Sequence, residues 1–157
     1  MHALILAYDL HTRLFENVID GLTEKDAQNR LNTRANHIAW IAGSIVHERF
    51  ELANALNIPI MQTSGDLFEN QKGIQDKMNY PSLKEYKHDW KHITPVLREA
   101  LVNITTSELE SRDQYQMPGE NLTFFEAMAF IIDRESYCIG QIGLYRRLLG
   151  YEPMKYE

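Results

Sequence analysis

The chain has 157 residues, the usual size of one domain, and its 44% hydrophobic and 24% charged residues are the balance of an ordinary globular protein. Sixteen Lys and Arg against twenty-two Asp and Glu leave a net charge of -6, which speaks against a broad nucleic-acid footprint. No apolar run approaches the ~18 residues of a membrane span, and Met1-His2-Ala3-Leu4 does not open a secretory signal. The single cysteine, Cys138, cannot form an internal disulfide, so a cytoplasmic location is expected, with neither nucleic acid nor membrane as a partner.

Four long segments carry helical periodicity, and none alternates with the period of a strand. The first runs from His2 to Asp20 and stops at Gly21, with Leu4, Tyr8, His11, Phe15, Val18 and Ile19 on one face. Thr23-Glu24-Lys25-Asp26 then reads as the capped start of a short helical turn. The second long helix is expected from after Thr33 to about Asn57, on a stripe of Ile38, Ile41, Ile45, Leu52 and Leu56. About twenty residues follow, Ile58 to Tyr80, a length that goes with crossing a domain or carrying function. Met61, Phe68, Ile74, Met78 and Tyr80 suggest that this connection packs onto the core.

The third long helix opens at Pro81-Ser82 and continues to about Ile104, with Leu83, Tyr86, Trp90, Ile93, Leu97, Ala100, Leu101 and Ile104 on one face and a bend expected at Pro95. A polar stretch ending in Pro118-Gly119-Glu120-Asn121 leads to the fourth. That helix starts with a capping box, Thr123 and Glu126, and ends at Leu149-Gly150 with Gly150 left-handed. The fold class expected is all-α: a single-domain four-helix bundle with a long crossover between its second and third helices.

Several polar groups invite chemistry. His88 and His92 have the i, i+4 spacing of metal ligands, but they lie off the apolar stripe beside Lys84, Lys87 and Lys91, and read as a solvated face. His47-Glu48 with Glu51 reads mainly as a charged helix face, with Glu48 nearer the apolar side. His11 falls on the apolar face of the first helix, where an imidazole must find a hydrogen-bond partner or line a cavity. Arg134, Cys138, Gln141 and Tyr145 form a polar line along the fourth helix. If that line points inward, Arg134 needs a carboxylate such as Asp133, Glu135 or Glu48, with Glu48 the first choice. A second apolar line, Phe130, Tyr137, Leu144 and Leu148, lies roughly opposite Met128, Ile132 and Ile139, and must meet another helix or another molecule.

Two segments, Asn36-His37-Ile38-Ala39-Trp40-Ile41-Ala42-Gly43-Ser44 and Arg134-Glu135-Ser136-Tyr137-Cys138-Ile139-Gly140-Gln141, resemble the DinB-like family of bacterial four-helix bundles. The closing Leu144-Tyr145-Arg146-Arg147-Leu148-Leu149-Gly150 and the long connection fit the same pattern. The resemblance implies a homodimer. It also implies three histidines holding a divalent metal such as zinc or nickel, which supports thiol transfer or thiol-dependent isomerisation. Here those three positions read Ser44, Arg134 and Cys138. Serine is a poor ligand, arginine brings its own positive charge, and one thiolate does not make a site. Substitute ligands would have to come from His37, His47 or His11, in a geometry rearranged around the arginine.

The function expected is therefore a metal-free family member with a degenerate site. Its pocket candidates are His11, Ser44, Glu48, Arg134, Cys138 and Gln141. No cofactor is expected, and the ligand, if there is one, is a small anion or a thiol. The alternative is an enzyme, a divalent-metal- or cysteine-dependent thiol transferase or hydrolase using the same cavity. Cys138 would then be the nucleophile, activated by the Arg134 charge.

Overall fold

A computed structural model describes residues 1–112, 115 and 120–156. Among them the protein is all-α and mostly helical, with no β-strand. Its long helices are α1 (His2–Ile19), α3 (Ile38–Ala55), α4 (Leu83–Asn103) and α6 (Phe124–Leu148). Two short helices, α2 (Glu24–Ala27) and α5 (Thr106–Glu110), and two 3-10 turns at Gly65–Leu67 and Glu69–Gln71 complete the described elements. No described helix is long and apolar enough to cross a membrane. The sequence pattern omits α5 because its five residues offer too little periodicity to read. Pro118 and Gly119, placed in the polar stretch, lie outside the described residues.

Helix ends follow side-chain chemistry. Reciprocal capping boxes, Ser82 with Glu85 and Thr123 with Glu126, start α4 and α6, and Gly150 takes φ 86° just past the end of α6. The second long helix begins at Ile38, not after Thr33. The imidazole of His37 accepts the Trp40 N–H at 3.1 Å and caps the helix there. Arg30 meanwhile donates to the carbonyls of Arg34 and Ala35, holding the preceding residues in a turn in which Leu31 and Asn32 adopt positive φ.

The long helices form a ring: α1 packs on α4 and α6, and α3 packs on the same two. Cross-helix partners fix their directions. Tyr8 meets Thr94 while Thr12 meets Trp90, so α1 and α4 run antiparallel. His11 meets Glu135 and Val18 meets Arg146, so α1 and α6 run parallel. Gly43 lies against Tyr86 and Arg49 reaches Thr94, so α3 and α4 are parallel too. A parallel neighbour is reached only by carrying the chain back along the helix, about 27 Å for 18 residues. That distance is the physical reason for the long connection.

The connection is pinned at defined points. Buried Asp89 of α4 accepts both the N–H and the hydroxyl of Thr63. Gln62 donates to the Gly43 carbonyl and pairs with His47. Phe68 and Tyr80 are buried and Ile74 half-buried, as expected of a packed segment, but Met61 and Met78 are exposed.

Candidate functional site

The polar residues on the apolar faces of three helices meet at the centre. Arg49 of α3 is 0% exposed and Glu135 of α6 1%. Arg49 grips both carboxylate oxygens, Nε to Oε1 at 2.6 Å and Nη2 to Oε2 at 2.9 Å. Its Nη1 donates to the hydroxyls of Thr12 and Thr94 at 3.0 and 2.8 Å. The guanidinium is also sandwiched between the Tyr8 and Trp90 rings, 3.8 and 3.5 Å from their centroids. His11 completes the group with Nδ1 3.3 Å from Glu135 Oε2. Burial by itself would lift the Glu135 carboxyl, but the Arg49 charge and hydrogen bonds, with help from His11, hold it below the usual range. His11 is thus a satisfied core histidine.

A separate cleft of about 880 Å³ opens beside α3 and α6. Its wall includes Ser44, Glu48 and Arg134, the three sequence candidates that the fold brings together. Arg134 Nη1 lies 2.7 Å from Glu48 Oε2, and its Nη2 donates to Ser44 Oγ at 3.2 Å. Ser44 in turn donates to the Ile41 carbonyl. Arg134 and Glu48 are 24% and 18% exposed at their side chains, so the pair sits in the wall rather than in the core. Asp133, also considered as its partner, is exposed, and Glu135 belongs to Arg49.

His11, Cys138 and Gln141 do not line this cleft. Cys138 is 3% exposed on α6, and burial pushes its thiol up to about 11 against the opposing pull of Arg134. That reverses the activation expected of a nucleophile. Gln141 is half-buried further along α6, and Tyr145 is buried. His88 and His92 are exposed, as their wheel positions require. Arg49 is absent from the sequence candidates, although it stands on the apolar stripe halfway between Ile45 and Leu52.

Burial raises the Glu48 carboxyl to about 7, even though Arg134 pulls it down. Unfolding returns it to about 4.5, so folding takes up a proton between those values. Its contribution to stability is full below pH about 4.5 and is lost as pH rises toward 7. Urea unfolding from pH 4.5 to 8 should therefore show a falling limb that Glu48→Gln flattens. Parallel curves for the two proteins would mean that Glu48 titrates normally.

The sequence matches no protein-family model, and no curated protein matches it.

Proposed function

We propose that the chain is a metal-free, DinB-like four-helix bundle that binds a small molecule in the α3–α6 cleft, as a homodimer. The observation that carries the reading is Arg134, whose guanidinium hydrogen-bonds Ser44 and pairs with Glu48. Two of the three positions where the resemblance puts metal-binding histidines are thereby tied together by a fixed organic cation. The third, Cys138, is buried on α6, four residues along from Arg134, with its thiol protonated at neutral pH. These residues do not fit a divalent metal. A guanidinium cannot donate a lone pair, and among the described residues no three His, Cys, Asp or Glu are grouped to hold an ion. The up-down-down-up arrangement of α1, α3, α4 and α6 and the long return between the parallel α3 and α4 support the bundle reading.

Binding that needs no metal is the testable part. Full-length, tag-free protein treated with a chelator should still bind small aromatic probes, followed by calorimetry. Arg134→Ala, which opens the wall, should change their affinity. Binding that appears only after zinc or nickel is added would overturn the reading.

The homodimer rests on the outer face of α6. Tyr137, Leu144 and Leu148 are 68%, 60% and 63% exposed, while Met128, Ile132 and Ile139 on the other side are buried. Phe130 is also exposed, but it borders the cleft. A symmetric pair would bury this line against itself. Light scattering should give a dimer for the wild type and a monomer for Leu144→Glu, with equal helical content by circular dichroism. A wild-type monomer at micromolar concentration would end the dimer proposal.

A further inference from the structure

The free charge of the cleft is negative. Arg134 is paired with Glu48 and hydrogen-bonds Ser44, while Lys72 donates to the Asp66 carbonyl at 2.8 Å and keeps its charge, one cation set against two carboxylates. Glu51 and Glu120 also line it, are exposed, and have no ion-pair partner among the described residues. Four aromatic side chains, Trp40, Phe68, Tyr115 and Phe130, share the same walls. Aromatic faces attract organic cations through their quadrupole, and an ammonium with an apolar body gains from both the rings and the carboxylates. A separate sign of an absent partner is Trp40 Nε1, which is buried without a hydrogen-bond acceptor among the described residues.

We infer that the cleft takes an organic cation, a primary or quaternary ammonium with an apolar body, held by aromatic walls and by the unpaired carboxylates Glu51 and Glu120. This rests on the proposed small-molecule role of the cleft, and it reverses the sign of the anionic ligand expected from sequence. The reversal comes from the two exposed carboxylates Glu51 and Glu120, with Arg134 already held by Glu48 and Ser44.

The test titrates the full chain at low salt with three probes of similar body and different charge: benzyltrimethylammonium, benzyl alcohol and phenylacetate. Calorimetry gives the affinities. Tryptophan fluorescence locates binding, because Trp90 is 0% exposed and Trp40 borders the cleft. The cation should bind about tenfold tighter than the neutral probe, with phenylacetate weakest, and added salt should narrow the gap. Glu51→Gln with Glu120→Gln should bring the cation to within about twofold of benzyl alcohol and leave benzyl alcohol itself unchanged. Equal or tighter binding of benzyl alcohol or phenylacetate would overturn the cation inference while leaving a small-molecule cleft intact. Failure of all three to bind would overturn both.

Discussion

Replacing Glu135 by leucine should cost about 3–5 kcal/mol of folding stability, read from urea unfolding at pH 7. The substitution leaves the Arg49 guanidinium wholly buried with its charge unmatched, between two rings that cannot neutralise it. Arg49→Met should cost a similar amount by stranding the carboxylate. The double variant should recover most of the loss, because an ion pair replaced by apolar side chains of similar volume no longer has desolvation to overcome. The pH dependence has a definite sign. Glu135 is held below the ordinary carboxylate range, so its contribution is present above that range and disappears as pH falls through the folded value. Single variants within about 1 kcal/mol of wild type would show that the pair is solvated rather than buried.

Gly43→Ala should be the next most damaging single change. A Cβ there would sit 2.3 Å from Phe68 Cζ and 2.5 Å from the Tyr86 ring, closer than real Cβ contacts come. Both rings are buried and packed on α3, so at least one has to move. Overpacking of this kind costs about 1–3 kcal/mol, and Gly43→Val should exceed the alanine variant. Because Phe68 also borders the cleft, the same substitution should weaken probe binding. An alanine variant as stable as wild type would mean that the α3–α4 contact is looser than this packing.

How far this was legible in the sequence differs from element to element. Apolar residues at steps of three and four, with Thr123, Glu126 and Gly150 as end signals, are local features, and they placed α6 within a residue at either end. The start of α3 was misplaced because His37 caps it through its ring, a role that Ser, Thr, Asp or Asn ordinarily fills. The central ion pair was present as a pattern: an arginine inside one apolar stripe, a glutamate inside a second and a histidine inside a third. The charged face taken from His47, Glu48 and Glu51 left Arg49, which stands between them, unremarked. The Glu48–Arg134 contact was foreseeable, since each residue lies on the inward edge of its helix and needs the other. The cleft itself was not, because its walls come from α3, the crossover, Tyr115, Glu120 and α6, which only the folded chain assembles.

Metal binding by two proteins side by side is the most direct test of a cleft in which arginine stands where the resemblance expects a metal. Zinc and nickel would be titrated into wild-type protein and into the Ser44→His, Arg134→His, Cys138→His variant, both tag-free, with ion content checked by elemental analysis. Wild type should bind no stoichiometric metal at this cleft. The triple variant, which supplies three imidazoles from facing helices, should take up about one ion per chain. Near-stoichiometric zinc or nickel in the wild type, lost on Cys138→Ser or His37→Ala, would contradict the metal-free reading.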